Sequence, residues 1–186
     1  FLQQQLKPKE GEIVEIFSDF AEFHQEKPVF SSKLEELEFL SKKIKYEKSD
    51  GKVIGKHQGA HYFTIGQSKG LGIGGHKESC FLISRDMETN TIYVGEGKNF
   101  PGLFRKALKI ENNEVHWVRE DLRLQNGEST ELMVRIRYRQ TLEKATLYQF
   151  EEGLFIEFEN PQSAIAEGQF AAWYDGEELL GSGVIS

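Results

Sequence analysis

The chain of 186 residues contains one cysteine and two methionines, and it has no long apolar run. The single cysteine, Cys80, excludes an internal disulfide and is typical of a reducing compartment. No stretch approaches the roughly 20 apolar residues of a membrane span, and no basic segment followed by an apolar one opens the chain, so we expect neither membrane insertion nor secretion. These absences predict a cytoplasmic protein.

An initiator methionine is also lacking. Residues 1–6 have the character of the last turns of a helix, which Lys7 and Pro8 end. We therefore expect the chain to be a piece of a longer protein.

Positive charge is scarce, since 30 acidic residues outnumber 23 basic ones and the net charge is −7. Such a balance argues against a nucleic-acid partner. The distribution is uneven, however: residues 141–186 contain one lysine and nine acidic residues, whereas residues 51–100 contain six basic and four acidic residues. A locally basic face is therefore compatible with the sequence.

Glycine is concentrated in one stretch, from His57 to Gly75, which we call the glycine-rich segment. Five glycines fall within its last ten residues. Such a density costs backbone entropy on folding and is kept where the chain needs positive φ or where another backbone comes close. We predict that the segment is a contact surface rather than a core element. The residues assigned to it are His57, Gln67, Lys69, Gly70, Gly72, Gly74 and Gly75.

Two chemical interpretations of this segment are weaker. Gly70–Gly75 matches the dinucleotide-binding pattern G-x-G-x-x-G, but that pattern functions between a strand and a helix, and here a β-rich run follows. Four residues have types and spacings that suit zinc: His57, His61, His76 and Cys80. Burial or ordinary hydrogen bonding explains the same residues without a metal. We assign no metal ligand and no catalytic residue.

Residues 32–46 predict the one clear helix. Ser32 and Glu35 form a capping-box pattern. Four apolar residues fall on one helical face: Leu34, Leu37, Leu40 and Ile44. Such a stripe normally covers the core of its own domain. We therefore expect this helix to pack on the domain that contains it, residues 1–102.

Elsewhere the chain alternates short β-rich runs with turns. Residues 81–83 and 91–94 predict a hairpin, and from residue 103 short strands are separated by turns such as Asn-Gly and Asp-Gly. The predicted fold class is mainly β. Residues 103–186 contain six or seven such strands, which predict a small antiparallel barrel or sandwich.

An arginine run lies inside the predicted barrel. Arg135, Arg137 and Arg139 alternate, so on a strand they would share one face while Tyr138 points the other way, into the barrel. A row of guanidinium groups suits contacts to phosphates and bases. A solvated strand face, paired with the acidic residues downstream, explains the run as well.

The motifs, taken together and in order, resemble the bacterial tRNA-specific 2-thiouridylases. The resemblance covers residues 1–17 and 51–186. The motifs that carry it are His57-Gln58-Gly59, Tyr62–Gln67, Gly70–Gly75, Val94-Gly95, Arg137–Gln140, Pro161-Gln162, Gly168-Gln169, Tyr174–Glu177 and Leu180-Gly181. The resemblance implies a small α+β central domain, residues 1–102 with the inserted helix at 32–46, followed by an antiparallel six-stranded β-barrel, residues 103–186.

The resemblance implies the tRNA-binding C-terminal portion of an ATP-dependent enzyme that thiolates the wobble uridine of tRNA. In this family an N-terminal ATP-pyrophosphatase domain uses ATP and magnesium, and a persulfide sulfur donor protein supplies the sulfur. That domain is expected upstream of Phe1, so this chain alone should be inactive and hold no cofactor. The glycine-rich segment then becomes an interface with the missing domain or with tRNA. The implied tRNA-binding residues are Arg137, Tyr138, Arg139, Gln140 and Gln169.

Some features depart from the family pattern. Ser68 and Ser163 stand where arginine is usual, Cys80 stands where an apolar residue is usual, and residues 18–50 have no counterpart. The acidic last quarter of the chain also suits a function of a different class, a stand-alone β-barrel module for protein interaction.

Overall fold

The computed structural model describes residues 9–186, which form eleven β-strands and one α-helix in two compact units. The first unit comprises residues 9–26 and 44–103, and the second comprises residues 27–43 and 104–186. The helical turns expected for residues 1–6 lie outside the described residues. The elements are β1 (Gly11–Ile16), α1 (Lys33–Ser41), β2 (Gly51–His57), β3 (Cys80–Asp86), β4 (Thr91–Glu96), β5 (Phe104–Ile110), β6 (Val115–Trp117), β7 (Ser129–Arg135), β8 (Glu143–Phe150), β9 (Gly153–Ser163), β10 (Phe170–Asp175) and β11 (Glu178–Val184).

The first unit is built on a mixed sheet with strand order β2-β1-β4-β3. β1 runs parallel to β4 and antiparallel to β2, and β3 and β4 form the hairpin that the sequence predicts. Asp86 shapes the hairpin turn, because its carboxylate accepts the backbone N–H groups of Glu88 (2.8 Å) and Thr89 (3.2 Å). Four side chains at the centre of this sheet are almost fully buried: Ile13, Leu82, Ile92 and Val94.

The second unit is a seven-stranded antiparallel sheet with strand order β5-β9-β8-β7-β10-β11-β6. The sheet curls, so that the Ser186 N–H beyond β11 donates to the Lys109 carbonyl of β5 at 3.0 Å. Apolar side chains from all seven strands consequently share one core. The mainly β fold is confirmed, with one strand more than the six expected.

The sequence does not predict the additional strand, β11, because glycine residues interrupt its apolar pattern. A Cβ at Gly181 would lie 2.7 Å from the Trp173 ring and 2.7 Å from the His116 carbonyl, so packing over the tryptophan demands the absence of a side chain there. Trp173 is fully buried and contacts Trp117 edge-on, with the ring centroids 5.3 Å apart. The two tryptophans thus anchor β10 and β6 in one core.

Helix α1 begins where the sequence predicts but ends earlier. The Ser32 hydroxyl accepts the Glu35 N–H at 3.1 Å, which caps the N-terminus, and the helix ends at Ser41, before Ile44. No helix in residues 9–186 has the length and apolar character needed to cross a membrane.

The helix belongs to the second unit, and the prediction that it packs on the central domain is wrong. Leu37 is fully buried against Ala107 of β5 and Phe155 of β9. Lys33 adds an ion pair to Glu157 of β9 at 2.8 Å. The apolar stripe identifies a face that must be covered, but it carries no information about which sheet covers it.

Candidate functional site

The arginine run does not continue β7. The strand ends at Arg135, and residues 136–142, which we call the arginine loop, lead to β8 without strand geometry. The alternation of a strand therefore does not apply. Tyr138 is 86% exposed between the exposed Arg137 and Arg139, so the prediction that its ring points into the barrel is wrong.

Arg135 holds the start of the arginine loop. Its guanidinium donates hydrogen bonds to the Tyr174 hydroxyl (2.7 Å) and to the Tyr138 carbonyl (3.3 Å). It also lies over the Tyr174 ring, 4.9 Å from the centroid, a cation–π distance. These contacts occupy Arg135 within the protein, so it positions the loop.

Gln140 closes the arginine loop. Its Oε1 accepts the Ile136 N–H at 3.1 Å, and its Nε2 donates to Oε1 of Gln162 at 2.7 Å. Gln162 is buried and donates in turn to the Asn160 carbonyl at 2.9 Å. Both amide functions of Gln140 are thus engaged inside the protein, and its role is to shape the loop.

Gln169 lies at the same end of the sheet as the arginine loop. It directly precedes β10, whose Ala172 pairs with Arg135 in antiparallel register. Arg137 ties the arginine loop to the end of β9, because its guanidinium donates to the Ser163 carbonyl. The Oε1 atom of Gln169 is buried and has no hydrogen-bond partner among residues 9–186, so that atom does not face solvent.

Two more cations lie at this end of the sheet. The Arg105 guanidinium donates to the carbonyls of Ser41 (2.9 Å) and Ile165 (2.7 Å), and burial lowers its pKa to about 10. Burial and the charge of Arg105 lower the pKa of Lys43 to about 8, while contact with the Glu167 carboxylate acts in the opposite direction. Glu167 is two-thirds exposed, so water screens its charge. Arg105 stays charged at neutral pH.

The arginines at the opposite end of the sheet are paired with acids. Arg119 contacts Asp121 at 2.7 Å and Glu178 at 2.6 Å. Arg123 faces the Glu120 carboxylate at 3.6 Å. By contrast, among residues 9–186 no carboxylate forms an ion pair with Arg135, Arg137 or Arg139. Positive charge without a matching carboxylate therefore collects at that end of an acidic chain.

The glycine-rich segment is anchored by apolar side chains and exposes its glycines. Leu71 is buried and Ile73 is half-buried in the core of the first unit. A Cβ added at Gly72, Gly74 or Gly75 would meet no atom within 4 Å. The segment thus presents a strip of open backbone, residues 70–75, which we call the glycine strip.

Two residues assigned to the contact surface have internal roles. His57 is buried and its Nδ1 accepts the Gly59 N–H at 2.9 Å, which corrects its assignment as a contact residue. Burial lowers the pKa of His57. Gln67 shapes the turn, since its Oε1 accepts the Thr64 N–H (3.1 Å) and its Nε2 donates to the Lys69 carbonyl (2.8 Å). Lys69 itself is exposed.

The four residues considered as zinc ligands do not gather into one site among the described residues. His76 and Cys80 instead come together with Glu15, a residue 61 positions away from His76, for which sequence spacing offers no signal. Burial, with the charges of Glu15 and Glu96, raises the pKa of the Cys80 thiol to about 11. The thiol is therefore protonated at neutral pH.

Comparison with known proteins identifies the family. Residues 107–185 match the aminomethyltransferase beta-barrel domain family, and residues 35–96 match the tRNA methyl transferase PRC-barrel domain family. The chain is 58% identical over its whole length to the tRNA-specific 2-thiouridylase MnmA of Flavobacterium johnsoniae, and 54% identical to that of Christiangramia forsetii. It is 41% identical, over 80% of its length, to that of Limosilactobacillus reuteri.

These matches cover 47%, 47% and 41% of the respective relatives. The chain thus spans about half the length of the curated relatives it matches. The two domain families match the chain in the same order as its two sheets. The first two relatives align over the whole chain. The chain belongs to the tRNA-specific 2-thiouridylase family.

Proposed function

We propose that this chain is the tRNA-binding portion of an ATP-dependent enzyme that thiolates the wobble uridine of tRNA. The relatives are named for a tRNA substrate, and the fold offers one surface suited to it. The observation that carries the proposal is the arginine loop, whose exposed guanidinium groups have no carboxylate partner among residues 9–186 of an otherwise acidic chain.

The arginine loop contacts the RNA backbone through Arg137 and Arg139. A guanidinium carries five N–H donors in a planar fork that matches phosphate oxygens. Arg137 uses a donor on the Ser163 carbonyl, which fixes its direction and leaves other donors for phosphate. The exposed Tyr138 ring between them provides a face on which an unpaired base stacks.

The glycine strip contacts the rest of the full-length protein or the tRNA. Its open backbone groups permit an approach that side chains would block, as the empty space around Gly72 and Gly74 illustrates. In the full-length enzyme, ATP with magnesium and a persulfide sulfur donor act in a portion outside these 186 residues, and no residue here is assigned to them. The whole protein acts in the cytoplasm.

The test is the salt dependence of tRNA binding by the full-length protein. Phosphate contacts release counterions, so Arg139→Ala should weaken all tRNA substrates similarly and reduce the slope of log affinity against log salt by about one. Arg123→Ala is the matched control, because Arg123 is an exposed arginine at the opposite end of the same sheet. It should leave affinity and slope unchanged.

Equal effects of the two substitutions would indicate general attraction to a charged surface instead of a defined contact. No effect of either in a folded protein would leave the arginine loop as a solvated surface and favour the protein-interaction function.

A further inference from the structure

A group of three metal-binding residue types lies under the glycine-rich segment. Glu15 projects from β1, Cys80 opens β3, and His76 lies between them in the chain that follows the glycine strip. One ligand atom from each residue lies within 4.8 Å of the other two, and His76 Nε2 is 3.0 Å from Glu15 Oε1. We propose that Glu15, His76 and Cys80 bind one zinc ion and leave a fourth coordination position open.

The donor set matches zinc chemistry. Thiolate, imidazole and carboxylate are the three side-chain ligands that zinc accepts, and zinc sites with three protein ligands keep a position for water or another molecule. With Zn–N and Zn–O distances of about 2.0–2.2 Å and Zn–S of about 2.3 Å, tetrahedral ligand atoms lie about 3.3–3.6 Å apart. The Glu15–His76 separation is already close to this range, and the Cys80 sulfur lies within 4.8 Å of both other ligand atoms.

The polar atoms of the group are incompletely satisfied without a cation. Glu15 is 8% exposed near the end of the largely buried strand β1, and its carboxylate contacts His76. The Nδ1 atom of His76 is buried and has no hydrogen-bond partner among the described residues. Burying a carboxylate and an imidazole nitrogen in this way is costly unless a partner compensates them. A cation bound through Nε2 of His76 at the centre of the group compensates the Glu15 carboxylate, but not Nδ1, the other ring nitrogen.

Access to the group is open from one side. A cavity of about 380 Å³ is lined by residues of 68–80, including His76 and Cys80 themselves. The chain between the glycine strip and Cys80 has no regular secondary structure, so small shifts that close the ligand sphere break no strand or helix. Zinc binding releases the Cys80 proton and ties this part of the segment to β1.

The full-length protein should be purified without chelators and its metal content measured by mass spectrometry. We expect the wild-type protein to hold about one zinc ion per chain more than the Cys80→Ser variant holds. After replacement of zinc by cobalt, the thiolate of Cys80 should add a near-ultraviolet charge-transfer band that Cys80→Ser lacks. Glu15→Gln and His76→Ala should weaken binding by more than the roughly 10- to 100-fold typical of an outer-shell partner.

Matched controls are His116→Ala and Glu88→Gln, both exposed residues outside the group, which should retain the metal. A measurement on the unmodified protein guards against misfolded variants. Chelator-treated unmodified protein should take up one zinc ion per chain in competition with a chromophoric zinc chelator. Equal metal content in wild type and Cys80→Ser, or no zinc taken from the chelator by the unmodified protein, would overturn the site and leave a Glu15–His76 hydrogen bond.

Discussion

Gly72 and Gly74 lie two residues apart in the glycine strip, but their backbones differ. Gly72 has φ +69°, a conformation that costs a non-glycine residue about 1–2 kcal/mol, whereas Gly74 does not need positive φ. Both positions are open, so Gly74→Ala should change stability by less than about 0.5 kcal/mol. Gly72→Ala should lower stability by about 1–2 kcal/mol.

If the strip is a contact surface, both substitutions reduce thiolation of tRNA by the full-length protein. The decisive comparison is thiolation rate against melting temperature for each variant. Normal thiolation by Gly74→Ala would show that no partner approaches the strip closely at that position.

Tyr138 provides a second prediction at the scale of single residues. Because the ring is exposed, Tyr138→Ala should change the free energy of unfolding by less than about 0.5 kcal/mol. If a base stacks on it, tRNA affinity should fall by about 1–3 kcal/mol. Leu122→Ala, an exposed apolar residue before β7 at the other end of the sheet, is the control. A large loss of stability for Tyr138→Ala would show that the ring packs in the core after all.

His57 should make the stability of the first unit depend on pH. Its folded-state pKa is lowered by burial, so an unfolded chain takes up the proton more readily. The stability that the neutral ring provides is complete above the unfolded pKa of about 6.5 and is lost as the pH falls through the lowered folded-state value.

His57→Asn keeps an acceptor for the Gly59 N–H but cannot be protonated. The loss of amide protection in β2 on acidification should therefore be smaller in this variant, as measured by native-state hydrogen exchange. His116→Asn, at an exposed position, should behave like wild type. Identical acid sensitivity of all three proteins would exclude His57 as the titrating group.

At the scale of elements, helix α1 stabilises the sheet that it covers. Leu37→Ala removes a fully buried side chain from the contact with β5 and β9 and should lower the free energy of unfolding of the second unit by about 2–5 kcal/mol. Hydrogen exchange should accelerate in β5 and β9 but not in β1 or β4. Glu38→Ala on the exposed face is the control. Faster exchange confined to the first unit would show instead that the helix packs on the central domain.

At the scale of the whole molecule, we expect tRNA binding and catalysis to reside in different portions of the full-length protein. The chain spans about half the length of its curated relatives, and the arginine loop proposed for tRNA contact lies within it. We expect the 186-residue chain to retain salt-dependent tRNA binding but to neither consume ATP nor form thiouridine. Both activities are measured with purified tRNA. Thiolation by this chain that Cys80→Ser abolishes would place the chemistry here.

The features that the sequence alone determined are those set by neighbouring residues. The cap at Ser32 and the hairpin turn at Asp86 follow from side chains that bond to backbone N–H groups two or three positions away. The mainly β character follows in the same way from short apolar runs between turns. The family resemblance, too, depends on the order of short motifs and needs no knowledge of their packing.

Only the tertiary structure decided what depends on distant contacts. Tyr138 is exposed because β7 ends at Arg135. Beyond it, Gln140 and Arg137 bind the last residues of β9 through their side chains, and the backbone ladder of β7 does not continue. The covered face of α1 and the grouping of Glu15 with His76 have the same origin. Periodicity along the chain specifies which face of an element is buried, whereas the partner that buries it is chosen by the packing of elements far apart in sequence.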